Sequence, residues 1–338
     1  MRITLPQNKA YPRGRSNSGW SIYVLFAVTM LCSAIAVAEP VDLFFLVSKP
    51  TTDYVDVLTT VQEELNKQFP EKYRYTVEFV SEHRDSQPAV MLPTADLIVT
   101  IGTAAADSAY QYQAHQSKLG APIISVLITD SSFVALASKY FGSLDQAFAQ
   151  QVSAICIDQP TSRSIRLAKL LLPKAKKAGV MLGHSSVKRQ QELANSINEA
   201  GMTPEFVTID AKDNPITKIE PVIRNTDVFI PVPDSRLINI ATAKWILHLS
   251  YRHKVPVIAF SRTYVKAGAL AAIYSSPDNV AMQAVELLAG AAMEGSKTGQ
   301  AYPPKYYSIH FNYSVAASLN VPIKSEQHYR EQLREGAK

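Results

Sequence analysis

The sequence predicts an α/β protein of two Rossmann-like lobes with parallel sheets, joined by a multi-strand hinge. Short apolar runs alternate with helical patterns along most of the chain, which is the order that builds a parallel sheet with right-handed crossovers. Two distant stretches also repeat one device. Asp96 to Thr103 reads DLIVTIGT and runs into AAADSAY, while Asp227 to Ser235 reads DVFIPVPDS and runs into RLINIATAKWIL. Each is a buried-strand pattern ending in a Gly or Pro turn, a hydroxyl residue and a helix start, the arrangement that places ligands beyond a sheet's carboxyl edge. Finally, the chain of 338 residues is longer than one hydrophobic core usually supports.

Residues 1–38 read as a cleavable export signal. Arg2, Lys9, Arg13 and Arg15 form a positive segment, Ser21 to Ile35 is apolar, and Ala36, Val37 and Ala38 precede Glu39 as a small-residue cleavage site. The apolar run is short for a membrane span, and no later run reaches its length. An uncleaved N-terminal anchor is the alternative; a lipid on Cys32 is disfavoured by the bulky Leu31 before it. The expected product is soluble and periplasmic.

The first lobe begins with the apolar run Val41 to Val47 and a helix from about Thr52, whose Leu58, Val61, Leu65 and Phe69 share a face before Pro70 ends it. Tyr75 to Val80 is strand-like, and Ser81 to Gln87 is a polar surface loop. The 96–101 strand with its helix and the buried strand Pro122 to Ile128 follow. Val152 to Ile157, ending in Asp158, Gln159 and Pro160, is the expected crossing point.

A second series repeats the plan: a helix Ser162 to Leu172 stopped by Pro173, a strand Ala178 to Leu182, a helix Val187 to Ala200 closed by Gly201, and a strand Glu205 to Ile209. Then come the 227–232 strand, a helix Arg236 to Arg252 and a strand Val255 to Phe260. Gly268 to Tyr274 is a strand, Ser276 and Pro277 start a helix, and Tyr306 to Phe311 is a last strand-like run. The expected division is 1–38 export signal, 39–155 and 275–309 lobe one, 156–274 and 310–338 lobe two. Three crossings would permit a hinge and prevent free twisting.

Residues 1–38 hold four of the 34 cationic side chains and none of the 29 acidic ones, so removing them leaves 30 against 29. That near-neutral balance gives no reason to expect nucleic acid or a phospholipid surface as partner. After cleavage only Cys156 remains, in the apolar stretch SAICI, so no intramolecular disulfide forms and a buried packing role is expected. His248 and His253 lie about 140° apart around a helix and do not make an i, i+4 zinc pair. With no His/Cys cluster and no acidic calcium loop, no metal or other cofactor is expected.

Taken together, DLIVTIGT, APIISVLITD, RLAKLLLPKAKKAGVMLG, VFIPVPDS, VPVIAFSRTYVKAGALAAIYSS and YYSIHFNYSVAASLNVPI, in that order, resemble the periplasmic substrate-binding proteins of ABC transporters with the type I periplasmic-binding-protein fold. The likeness covers nearly the whole chain after residue 38 and is nearest to a branch that includes aromatic amino-acid binders. By position, it implies a cleft lined by Ser48, Tyr54, Gly102, Thr103, Thr129, Asp130, Gln159, Asp234, Ser235, Arg262 and Tyr264. Two departures fall at this cleft: Asp130 is followed by Ser131 where the family commonly has Pro, and Asp158-Gln159-Pro160-Thr161 replaces a Gly/Thr-rich crossing.

Most of these residues also have a structural role open to them. Thr103 is placed either to donate to a ligand carboxylate or to cap a helix, and Asp234 and Ser235 face the same choice. Arg262 follows VPVIAF and has the planar fork that suits a carboxylate or phosphate, although a surface Arg is common. Tyr54 and Tyr264 offer aromatic faces to a flat ligand or to the core. No G-x-S-x-G elbow, phosphate loop or G-x-G-x-x-G fingerprint supports an enzyme. The expectation is therefore a monomeric binding protein that closes on a small organic ligand, such as an amino acid, and presents it to a membrane permease. A membrane receptor or signalling protein is the alternative partner.

Overall fold

The computed structural model describes residues 39–80, 92–116, 119–210, 212–234, 237–294 and 298–335. The expected export signal 1–38, the stretch Ser81–Gln87 and Ser235 lie outside them. Val41–Lys338 forms a compact unit by itself.

Its first sheet has the strand order β11-β5-β4-β3-β1-β2 and is parallel throughout. The strands are β1 (Val41–Val47), β2 (Tyr73–Phe79), β3 (Leu97–Ile101), β4 (Ile123–Ile128), β5 (Val152–Cys156) and β11 (Ala301–Tyr302). These runs are apolar on both faces because both faces are covered, as a parallel sheet requires. On one face α1 (Thr52–Gln68) buries Val57, Leu58, Val61 and Leu65 against Val280, Ala281, Ala284 and Leu288 of α10 (Pro277–Glu294). On the other lie α2 (Thr103–Ala114), α3 (Asp130–Phe141) and α4 (Leu144–Ala149), packed around Tyr110 and Phe133.

The second sheet joins β7 (Thr203–Thr208), β6 (Lys177–Leu182) and β8 (Val228–Phe229) to β9 (Ile258–Ala259), β10 (Ala271–Tyr274) and β12 (Ser308–Phe311). A single parallel bridge, Phe229 to Val257, connects the two halves. One face is covered by α5 (Thr161–Leu171), α6 (Gln190–Glu199) and the C-terminal α12 (Glu326–Glu335). The other carries α7 (Pro215–Arg224), α8 (Ile240–His253) and the short α9 (Arg262–Lys266). A short helix, α11 (Tyr313–Ser318), follows β12.

Two local outcomes depart from the sequence reading. β12 runs antiparallel to β10. The chain leaves the second sheet at the end of β10, adds α10 and β11 to the first sheet, and re-enters at the same edge, so it must run back. α8 begins at Ile240 rather than Arg236, because the Asn239 side chain accepts the Thr242 amide and sets the helix start there.

Three segments run between the sheets: 157–160, 275–276 and 303–307. They are tied together at Gln159. Its Nε2 donates to Ser275 Oγ at 2.8 Å and to the Tyr306 carbonyl at 2.9 Å. Ser275 Oγ in turn donates to the Ile157 carbonyl at 2.8 Å. Arg163 donates to Gln159 Oε1 and to the Pro304 carbonyl, and lies over the Tyr307 ring.

Candidate functional site

In the first sheet the order β2-β1-β3-β4-β5 reverses direction between β1 and β3, so a crevice opens beyond their carboxyl ends. The register aligns those ends: Val47 pairs with Ile101, Ile101 with Val126, and Ile128 with Cys156. Ser48, Gly102, Thr129 and Asp158 therefore follow one another along a single edge.

Ser48 and Tyr54 meet at the Gly102 turn. Gly102 has φ +89°, and a Cβ there would stand 2.6 Å from Ser48 Oγ and 2.9 Å from Tyr54 Cζ, which explains why only glycine fits. Ser48 Oγ accepts the Ala105 amide at 2.9 Å, so the hydroxyl that caps α2 comes from β1's end rather than from Thr103. Thr103 is exposed at the first position of α2. Beneath this edge, Ser125 Oγ lies 2.7 Å from both Thr100 Oγ1 and the buried Tyr110 hydroxyl, which fixes α2 on β3 and β4.

The end of β4 is bent. Leu127 has φ +53° and the β4–β5 register shifts between Ser125 and Ile128, a bulge that re-aims Thr129 and Asp130. Thr129 Oγ1 accepts the Ser132 amide at 3.2 Å and donates to Ser132 Oγ at 2.8 Å, capping α3. Asp130 is exposed, and its amide donates to Asp158 Oδ2 at 2.6 Å.

A cavity of 330 Å³ opens beside this pair, lined by Asp130, Cys156, Asp158, Gln159, Arg189 and the 301–304 segment. It draws on the edge of the first sheet and, through Arg189, on the turn before α6. Burial lifts the Asp158 carboxyl above the usual carboxylate range, and the Asp130 charge adds to it, against the Asp130 amide and the Arg189 guanidinium. Burial likewise pushes the Cys156 thiol up to about 12, with Asp130 and Asp158 reinforcing the shift. Cys156 is a buried packing residue and is not poised as a thiolate.

The second sheet reverses direction between β6 and β8, and a cavity of 380 Å³ lies at that carboxyl edge. Gly183, His184, Asp210, Asp213, Asn239 and Thr242 are among its lining residues. Asp234 is buried beside it as a brace: Oδ2 accepts the Ser186 amide at 3.0 Å and hydroxyl at 2.8 Å, and Oδ1 accepts the Leu237 amide at 3.2 Å. Gly183 packs so closely on Asp234 that a Cβ would lie 2.8 Å from Oδ2. His184, Asp210 and Asn239 are absent from the sequence-derived set: the turns after β6 and β7 carry no Pro-hydroxyl signature, with the glycine that ends GVMLG the one signal, and Asn239 falls inside the helix expected from Arg236.

Arg262 is exposed at the start of α9, with no hydrogen bond or ion pair among the described residues. Its charge reaches His310, whose pKa is held low by burial first and then by Arg262 and Lys266. Tyr264 is in the core of the second sheet, edge-on to Phe260, with its hydroxyl buried and unpartnered. Gln159 is part of the three-segment tie described above. The sequence-derived residues thus fall into an edge group, Ser48, Tyr54, Gly102, Thr103, Thr129 and Asp130, and a second group set apart as a crossing tie, a brace, a core ring and a free cation.

Among the described residues no group of three or more His, Cys, Asp or Glu could hold a metal ion, and no helix is long and apolar enough to cross a membrane. The family described as "ABC transporter substrate binding protein" matches residues 87–327. No curated relative matches the sequence. Among solved structures, the ligand-free, open form of a substrate binding protein with adhesive properties from Clostridium difficile is similar at 20% identity, TM-score 0.59, covering 84% of this chain and 96% of that one. An ABC domain in complex with L-Trp from Streptococcus pneumonia is similar at 16% identity, TM-score 0.52, covering 83% and 96%. A conserved domain protein from Vibrio cholerae is similar at 16% identity, TM-score 0.51, covering 85% and 97%.

Proposed function

Since the chain belongs to the ABC transporter substrate binding protein family, we propose that it captures a small zwitterionic or anionic organic solute, such as an amino acid, between two lobes and delivers it to an ABC permease. The lobes of this reading follow the sheets: 39–156 with 277–302 form one and 161–274 with 308–338 the other, a small shift from the sequence-based division because Cys156 ends β5 and Ser308 begins β12. One observation carries it: two doubly wound sheets, each with a switch-point crevice at its carboxyl edge, are linked by three crossings. Contacts made by both edges at once exist only in a closed form, so an occupied site favours closure.

In this reading the amides of Thr103, Ala104 and Ser131, in the first turns of α2 and α3, are the donors to the ligand's negative end, since the neighbouring amides of Ser48, Gly102, Ala105, Asp130 and Ser132 are held by internal acceptors. Arg262 supplies a free guanidinium from the facing lobe. Tyr54 lies against the apolar part. The lobe-two cavity contributes His184, Asp210 and Asn239, and Asp234 and Gln159 act through position rather than contact. Export through cleavage after Ala38 places the protein in the periplasm, as a monomer.

L-Trp is the first probe, because the similar structure from Streptococcus pneumonia holds it. A ligand present at a hundred times its Kd stabilises the native state by about 2.7 kcal/mol, a readily measured rise in Tm. A rise with one or more amino acids is expected; a panel of amino acids that leaves Tm unchanged removes this ligand class. Arg262→Ala should weaken an acidic or zwitterionic ligand at least about tenfold, the equivalent of about 1.4 kcal/mol, without lowering the Tm of the free protein. Equal losses in both would make Arg262 structural.

A further inference from the structure

The near-neutral charge after residue 38 averages over a marked local asymmetry on one helix. α8 turns its inner side to the core through Ile246, Leu249 and Ser250. Its outer side leaves Ile240 77%, Trp245 43% and Tyr251 83% exposed. Ile240, Lys244 and Tyr251 form one stripe within about 40° of one another, while Trp245 stands about 100° around from Lys244, at the edge of the exposed arc beside the buried Leu249. Lys244 and Lys254, the latter at the helix's C-cap, have no ion-pair partner among the described residues. Arg252 is held by Glu220, which also takes His253, so the one acid facing this stripe from α7 is already shared.

We propose that this outer face of α8 rests on an anionic phospholipid surface. Exposed Trp and Tyr flanked by cations match the headgroup region of a bilayer, where amphipathic rings settle and basic side chains meet lipid phosphates. The cations free of partners are both lysines. Lysine is depleted from protein–protein interfaces and is effective beside anionic lipid, which favours a membrane over a protein occupant. The inference does not depend on the identity of the solute.

The chain from Glu39, whose Val41–Lys338 unit is compact by itself, contains Trp245 as its sole tryptophan, since Trp20 lies in the leading segment. Its emission reports on the edge of this face, where the 43% exposed ring stands beside His248. With vesicles of phosphatidylcholine containing phosphatidylglycerol, Trp245 emission should shift to the blue, with binding at least about tenfold tighter than on phosphatidylcholine alone and reversed by added salt. The double variant Lys244→Glu, Lys254→Glu should lose most of that preference at unchanged Tm, and Tyr251→Ser should weaken binding several-fold. Equal binding to both vesicle types, or binding that leaves Trp245 emission unmoved, overturns the proposal. So does a Trp245 shift that appears only when a permease is present in the vesicles, which would assign the face to a protein partner.

Discussion

Gly102 concentrates the demands of the first-sheet edge, because its φ of +89° and the nearness of Ser48 and Tyr54 leave no space for a side chain. Gly102→Ala should destabilise the protein by about 2 kcal/mol, from backbone strain and displaced neighbours, as measured by denaturant unfolding. Ser48→Ala removes one capping acceptor and should cost about 1 kcal/mol in the same experiment. Asp234 and Asp210 should separate cleanly. Asp234→Ala removes the acceptor of the Ser186 hydroxyl and leaves the Ser186 and Leu237 amides only their backbone partners, the Gly183 and Asp234 carbonyls, and should cost about 1–3 kcal/mol, whereas Asp210→Asn should leave Tm unchanged and act on ligand affinity. Asp158 gives a pH signature. Its folded pKa is raised, so between the ordinary carboxylate pKa and that higher value the folded state holds a proton that the unfolded state has released, and stability falls as pH rises through the window. Asp158→Asn should therefore raise Tm at pH 7 by ~2 °C relative to the parent, and the difference should close below about pH 4, where both states are protonated. A difference independent of pH would show that Asp158 is not held up by its surroundings. At this scale the sequence marks residue types at strand ends but not their partners: Ser186 lies 48 positions from Asp234, and Ser275 and Tyr306 lie 116 and 147 from Gln159.

Among the elements, β1, β4, β5, β6 and α5 fall within a residue or two of their sequence-based bounds, since each is a clean apolar run or an amphipathic face with a Pro or Gly stop. α7 is hidden from pattern reading by Pro215 and Pro221, although Pro215 sits at the helix start where a missing amide costs nothing. β11 is too short, at Ala301–Tyr302, to leave any periodic signal, yet it is what carries the chain into the first sheet a second time. β8 and β9 each shrink to two paired residues within longer apolar runs, because the flanking residues turn away into the carboxyl-edge loops. The three crossing segments form their own element, tied by one side chain. Gln159→Ala should speed amide exchange in 157–160, 275–276 and 303–307 while the two sheet cores keep their protection. Exchange that rises throughout both cores would make Gln159 a general stability residue instead of a hinge tie.

For the whole molecule, fold class followed from the alternation of apolar strand runs with helices in both halves, and each sheet repeats the order that reverses beside its first strand. Net charge was less informative, since a near-zero sum conceals both the acidic pair at Asp130 and Asp158 and the basic stripe on α8. The central claim is that the two sheet bodies approach one another when solute binds, and it can be read as a distance. In the chain from Glu39, Cys156 is buried with its thiol pKa pushed up to about 12, so spin labels attach selectively to exposed cysteines introduced as Ser131→Cys and Lys188→Cys. Pulsed electron paramagnetic resonance, with and without a saturating amino acid that raises Tm, should show the distance between the labels shorten and its distribution narrow on binding. An unchanged distribution with ligand demonstrably bound would contradict closure.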